Sequence, residues 1–542
     1  VVQKLLVNTP FMEQVVADFF HTQAGQALIN SGNLIKIEAP ETNVVGEEKL
    51  FMHSAKEAVV NSQGTMEMRG EQGIHEKNVS EEYEMAKGKI GIKVCIQFRT
   101  PDGYAGEYGF DWVRFADSER TGDTEDNRYD KIIGTYIKEK VGEEEEKFKQ
   151  DTSKYKEFLR EYKQQYIIPW KKEKAKQGNV SVTPKGDKGN EKEKDKDKKE
   201  DKDKKDYLYV VPVMTLKKGQ CADLVLNIEV NEKAKKLKYE YNDKLFTLNQ
   251  TTARVLDKGT YKAADTLAIT CKEKFSKDQE ILLYAYDEEG NKSLAGKFIV
   301  KANDDNHRYV LNVVLVNVKT NLTDDVNSVG KWPPENPLRK TALEKYFAQC
   351  YIDANIKECD LDLTIPERWK AFLNYADKGR LIGSKIKNGT IYQFLTNQLR
   401  RSAETAKYNN GDYYKIYLIN ERAVWKDDQT LFGKALSINS QEVLILAPGL
   451  DDSTCAHELF HALGLYHSFS SLNSHTFEKN KTDNIMDYSD TLEGEKKIPV
   501  ISTWQYQWKI LHKNLKTVAQ VKKEKEQKLK QQKLRQQEKR RK

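Results

Sequence analysis

Apolar and polar positions change their grammar several times along this chain. Between residues 34 and 70 short runs alternate strictly: "LIKIEA", "KLFMHS", "EAVVNS" and "TMEMRG". Period-two alternation over a strand's length predicts half-buried β-strands, and the close spacing predicts either stacked rungs or a meander. "KIGIKVCIQFRT" and "YGFDWVRF" carry the β pattern to about residue 115. From Tyr129 to Trp170 the pattern turns helical and highly charged, as in "EEEEKFKQDTSKYKEFLREYKQQY". Strand-like runs return from 207 to 302, among them "ADLVLNIEV", "TLAITCKE" and "EILLYAYDEEGNK", with the spacing of a small β-sandwich. The last third mixes both periods. "YVLNVVLVNV" (309–318) reads as a buried strand, and "PLRKTALEKYFAQCYID" as an amphipathic helix opened by Pro337. "YYKIYLIN" (413–420), "GKALSIN" (433–439) and "EVLILAP" (442–448) read as further strands, and a helix follows at once.

The pattern therefore predicts a multidomain chain. Residues 1–115 form a β-rich region, 116–184 a charged helical segment, 207–302 a β-sandwich-like domain and 305–515 an α/β domain. Between them, residues 185–206 hold ten lysines, nine acidic residues, two glycines and one asparagine. With no apolar side chain to bury, nothing offsets the entropy of ordering, so this stretch is expected to be a disordered linker. Residues 516–542 are a basic, Lys/Gln-rich tail, expected to be a solvated, frayed helix or an arm for an acidic partner.

Composition narrows the function classes. The 90 basic residues nearly cancel the 83 acidic ones, so nothing global calls for a nucleic-acid partner. The longest apolar run is ten residues and contains asparagines, against roughly 20 for a membrane-spanning helix. The six cysteines form no CxxC pair, so neither a zinc knuckle nor a disulfide scaffold is expected. The start, "VVQKLLVNTPFMEQ", lacks the features of a secretory signal peptide and an initiator methionine, as in a fragment or a processed product.

The candidate chemistry lies in "CAHELFHALGLYH" (455–467), which holds three of the nine histidines. On a helix, His457 and His461 stand on one face about 6 Å apart along the axis, so both imidazoles can reach one tetrahedral ion. Glu458, turned by about 100°, misses the ion itself but can reach a water beside it. His467 would lie about 15 Å further along a continuing helix, so the helix must stop. Gly464 is where it can stop, because glycine takes the left-handed conformation at little cost. Cys455 faces away and packs; His475 reads as a loop histidine or, less simply, a substrate-pocket residue. Nineteen residues past His467 comes "NIMDYSD", with Met486 and Tyr488.

HExxHxxGxxH followed by a methionine turn resembles the metzincin metallopeptidases, specifically over 457–488 and more broadly over 305–515. The resemblance implies a metzincin-like catalytic domain in which His457, His461 and His467 ligate one catalytic Zn2+. It implies that Glu458 is the general base, that Met486 lies beneath the metal, and that Tyr488 approaches it. Tyr488 matches astacin- and serralysin-like members, whereas Ser468 after the third histidine matches matrixin-like ones, so no subfamily follows. No cysteine-switch propeptide motif is present. The implied reaction is hydrolysis of a protein or peptide substrate lying extended along an edge strand, with "GKALSIN" and "EVLILAP" both open as that strand. The N-terminal runs resemble the C-terminal β-prism of type VI secretion spike proteins. That implies a trimeric spike assembly, delivery outside the producing cell, and an immunity or inhibitor protein as a further partner. The alternatives are a structural delivery or binding protein whose peptidase-like domain is inactive, and a zinc hydrolase of a non-protein amide.

Overall fold

The computed structural model describes residues 92–138, 147–172, 206–322, 330–424, 430–450, 452–494 and 497–541, with the backbone alone at 169, 172, 206, 403, 424, 452 and 541, and the backbone alone of the strands between residues 2 and 62. The chain divides into two compact units, Val1–Glu81 and Glu82–Lys542. The expected linker lies outside the described residues up to 205, as does the run "TMEMRG".

The first unit resolves the choice between rungs and a meander. Strands β1 (Val2–Thr9), β3 (Phe19–Ser31) and β5 (Glu41–Ser54) pair in parallel, and so do β2 (Met12–Val15), β4 (Leu34–Ala39) and β6 (Glu57–Ser62). A meander would pair neighbours antiparallel. Here each strand instead pairs with the strand one coil later: Val2 opposite Ala24, Ala24 opposite Gly46, Leu34 opposite Glu57. The chain thus climbs as stacked coils with two strand faces.

In the second unit two sheets pack as a sandwich. One has the order β13-β11-β15-β16-β9-β8 and the other β12-β14-β10-β7. Their strands are β7 (Val94–Arg99), β8 (Gly109–Asp111), β9 (Val213–Thr215), β10 (Cys221–Val230), β11 (Lys236–Glu240), β12 (Phe246–Leu248), β13 (Thr252–Ala253), β14 (Gly259–Cys271), β15 (Gln279–Tyr286) and β16 (Lys292–Val300). Along β10 every second side chain is buried (Ala222, Leu224, Leu226, Ile228, Val230), the alternation visible in the sequence. Residues 94–111, which the sequence pattern groups with the N-terminal β region, supply one strand to each sheet.

The segment after β8 is less helical than its charge pattern predicts. It holds the helix Thr152–Leu159, capped by Asp151 accepting from Ser153 N and Lys154 N, and a hairpin pairing Gly134–Ile137 with Lys147–Gln150. Gln165–Lys172 is a strand paired with Asp206–Val210. Tertiary burial decides this outcome: Tyr162, Tyr166 and Ile168 are all buried, and Tyr166 stacks on Tyr209 with ring centroids 4.6 Å apart.

The C-terminal part is a three-layer α/β arrangement. Its sheet runs β18-β17-β19-β21-β20, from β17 (Tyr309–Lys319), β18 (Ile352–Asp362), β19 (Tyr414–Ile419), β20 (Gly433–Ala435) and β21 (Glu442–Ile445). The first four pair in parallel and β20 closes the edge antiparallel to β21. A strand buried on both faces needs apolar residues at nearly every position, which is why β17 reads as an apolar run broken only by Asn312 and Asn317. Leu311, Val313 and Leu315 pack with helices α1 (Arg339–Ala348) and α3 (Asp452–Ala462), while Val314, Val316 and Val318 pack with α2 (Thr390–Arg400). Helix α4 (Gln505–His512) joins the first of these layers through Trp508 and Leu511. The tail from Val518 to Arg541 is one helix, α5, exposed over most of its length. Among the described residues no helix is long and apolar enough to cross a membrane.

Candidate metal centre

Helix α3 leaves the sheet directly beneath the edge strand. Its inward side carries Cys455, Ala456, Leu459 and Phe460, all fully buried in the core. That fixes the rotation of the helix, so Cys455 packs and His457 and His461 turn to the opposite side. The helix then ends in a Schellman motif: Leu465 N donates to Phe460 O and Gly464 N to His461 O, both at 3.0 Å. Gly464 has φ +113°, and a Cβ there would come within 2.7 Å of the Asn439 carboxamide oxygen. Only glycine fits this conformation and this space without strain. The reversal carries His467 back to the other two histidines. A Gly464→Ala variant is accordingly expected to lose about 1–3 kcal/mol of stability and to bind metal more weakly. Chemical denaturation with and without chelator reads this out; an unchanged midpoint would contradict it.

Ligand nitrogens of His457, His461 and His467 all lie within 4.8 Å of one another. His457 Nδ1 is 2.7 Å from Ile485 O, and His461 Nδ1 is 2.6 Å from Leu465 O. A carbonyl can only accept, so each Nδ1 carries the proton and each Nε2 presents a lone pair. His457 Nε2 is buried and has no hydrogen-bond partner in the protein. His461 Nε2 faces His467 Nε2 at 3.0 Å, near the spacing of roughly 3.3 Å that two nitrogens have on one tetrahedral zinc. Burial first, and then the neighbouring imidazoles, push the His457 and His467 pKa values down, to about 4 and about 2. Burial likewise pushes His461 to about 4. Converging lone pairs, an orphaned buried nitrogen and rings that resist protonation fit a divalent cation, and these three residues could hold one.

Glu458 borders the same space. Burial raises its pKa, against the pull of His457 and of a hydrogen bond from Ala435 N at 2.7 Å. Ala435 belongs to β20. Leu436 N donates to Glu442 O and Leu446 N to Phe432 O, so even-numbered residues of this stretch face the sheet and Gly433 and Ala435 turn their backbone off its edge. Topology thereby separates the two strands left open by sequence: "GKALSIN" is at the edge, whereas "EVLILAP" is interior.

Tyr488 hydroxyl lies 2.7 Å from His467 Nε2, and its ring stacks against His457 at 5.6 Å. Met486 is fully buried in the core cluster that holds Cys455 and Leu459, and its carbonyl accepts from Ser468 N at 2.9 Å. The turn bearing both residues is held by a reciprocal amide pair, Asn484 with Gln507, at 2.9 and 3.0 Å. His475 is placed elsewhere: its Nε2 is 3.3 Å from the Glu161 carboxylate, which also pairs with Lys509 at 2.7 Å.

Several contributors have no local signature. Phe469 stacks on His467 at 4.9 Å, and Asp483, three residues before Met486, is clamped by Arg114 and Arg120. The arginine partners lie more than 360 residues away, so no spacing rule could pair them. Only an acidic residue next to a predicted buried turn hinted at a partner.

No protein-family model matches the sequence, and no curated protein is significantly similar to it. Among solved structures, the chain is similar to metalloproteinase-II from Bacteroides fragilis at 12% identity and a TM-score of 0.22, over 56% of this chain and 87% of that one. It is also similar to a structure described as a chaperone–substrate complex, at 15% identity and a TM-score of 0.17, over 46% of this chain and 38% of that one. At such TM-scores neither likeness bears on the argument.

Proposed function

We propose that this chain is a zinc-dependent endopeptidase of the metzincin type. The observation that carries this reading is the convergence of three neutral imidazoles with Glu458 beside them, under an antiparallel edge strand. His457, His461 and His467 would hold the ion. When bound, the ion supplies Lewis acidity, which polarises the scissile carbonyl and makes a water acidic enough to attack near neutral pH. The chain's own groups do the rest. Gly433 and the carbonyl of Ala435, whose N–H is already given to Glu458, offer edge backbone to an extended peptide, which adds to the sheet as a further strand. The Glu458 carboxylate accepts the attacking water's proton and delivers it to the leaving amine. The Tyr488 hydroxyl, beside His467, donates toward the developing oxyanion. Met486 packs beneath the centre and fixes the turn that carries Tyr488.

The test is cleavage of an unstructured protein by the zinc-loaded chain, with chelator as control; no cleavage above the chelated sample would contradict the reading. Within it, Tyr488→Phe is expected to lower kcat by about a hundredfold with KM and metal content nearly unchanged. Steady-state kinetics decides this, and a changed KM with normal kcat would assign Tyr488 to binding instead.

The delivery reading is also a proposal. It is supported by the parallel coils of the first unit and predicts that the 62.6 kDa chain sediments as a trimer. A monomer in analytical ultracentrifugation would contradict it.

A further inference from the structure

Two lysines flank the candidate centre. Lys434 lies in β20 between Gly433 and Ala435, the residues whose backbone borders Glu458: a Cβ on Gly433 would sit 3.0 Å from Glu458 Cγ, and Ala435 N donates to the carboxylate. Its charge is felt by His461, His467 and Glu458. Lys479 stands beside Tyr488 and Phe469. Its ammonium lies 5.3 Å from the ring of Phe469 and 5.3 Å from that of Tyr488. Those two rings pack on His467 at 4.9 and 4.8 Å.

Neither lysine has a carboxylate at ion-pair distance among the described residues. Some lysines of the same part of the fold are matched: Lys415 pairs with Glu442 at 3.2 Å, Lys331 with Glu421 at 2.8 Å and Lys509 with Glu161 at 2.7 Å. Two acids of the same segment do not pair with Lys479. Asp487 is turned inward, accepting from Asn480 N, Thr482 N, Thr482 Oγ1 and Tyr488 N, and Glu478 forms no ion pair among the described residues. Glu458 faces Lys434, but its carboxylate is the base of the proposed reaction and is held by Ala435.

We infer that the centre selects acidic peptides, with Lys434 and Lys479 meeting Asp or Glu side chains near the scissile bond. This rests on the peptidase reading above. A peptide extended along β20 runs beside Lys434, and at the centre it comes near Tyr488, where Lys479 stands. Same-sign charges lining a cleft with low-dielectric walls focus their field on what enters it, attracting carboxylates and repelling ammonium groups. The side chains act on binding and orientation only; no bond to either lysine forms.

The experiment uses the full-length zinc-loaded chain. Cleavage sites in unstructured casein are mapped by mass spectrometry. Kinetics are then compared on peptides that differ only in carrying Glu, Gln or Lys beside the scissile bond. The wild type is expected to cleave the Glu peptide about tenfold faster in kcat/KM than the Lys peptide, with the difference shrinking as salt is raised. Lys434→Glu and Lys479→Glu, combined, are expected to invert that ratio, an effect that a merely structural role for the lysines would not produce. Cleavage without charge preference, or a preference that survives both reversals, overturns this inference and leaves the peptidase reading standing. Absence of any cleavage by the loaded wild type overturns both.

Discussion

Glu458→Gln is expected to keep its metal and its fold while losing about 10^2–10^4 in kcat/KM on any substrate the wild type cleaves. The substitution is nearly isosteric. Its carboxamide oxygen can still accept from Ala435 N, the 2.7 Å bond that ties α3 to the edge strand, so the frame of the site should persist. What disappears is the ability to take a proton from water. Burial raises the carboxyl pKa. That makes the carboxylate a stronger base than an exposed glutamate, while His457, the Ala435 N–H and Lys434 each favour its ionised form. Equal cleavage by both proteins, at equal zinc content, would remove Glu458 from the chemistry.

The second large effect is structural and lies outside the motif. Asp483→Asn is expected to cost about 3–5 kcal/mol of stability, because it leaves two buried guanidinium groups without their counter-charge. Arg114 Nη2 reaches both carboxylate oxygens at 3.1 and 3.0 Å, Arg120 reaches one at 2.9 Å, and Ser502 Oγ donates at 3.0 Å. All three charged side chains are nearly inaccessible, and the Arg114 guanidinium also covers the Trp112 ring at 3.4 Å. Burial works against ionisation of Asp483, but the attraction of Arg114 and then Arg120 outweighs it and holds the pKa below the ordinary carboxylate value. A depressed folded-state pKa means that this contribution is present above the unfolded pKa of about 3.9 and is lost as pH falls below it. The measurement is denaturant unfolding at pH 7 and near pH 3. The deficit of the variant should be large at the first and shrink at the second. A variant as stable as wild type at pH 7 would show that the clamp contributes nothing. Because Asp483 is three residues before Met486, the variant should also release metal more readily.

These two predictions mark where the sequence was legible and where it was not. The histidine cluster could be read because its geometry is local: spacing on one helix, and one glycine placed where a helix must reverse. Gly464 does end α3, and His467 does return. The edge strand was half legible, since two adjacent runs had the right composition and only the order of strands in the sheet separates "GKALSIN" from "EVLILAP". In the same way, alternation announced strands at 34–62, but parallel stacking depends on partners a full coil away. The charged stretch around 143–166 misled most. Its periodicity is helical, yet Tyr162, Tyr166 and Ile168 are drawn into tertiary cores, and among the described residues of the stretch only Thr152–Leu159 keeps the helix. The clamp on Asp483 joins residues from opposite halves of the chain, and no periodicity encodes such a pairing.

The central claim is that three imidazoles share one ion, and X-ray absorption at the zinc edge tests it most directly. Protein loaded with one equivalent of zinc should show three histidine nitrogens at about 2.0–2.1 Å plus one further oxygen ligand, and a His467→Ala variant should lose one of the three. A first shell with fewer than three imidazoles, or one unchanged by removing His467, would contradict the account.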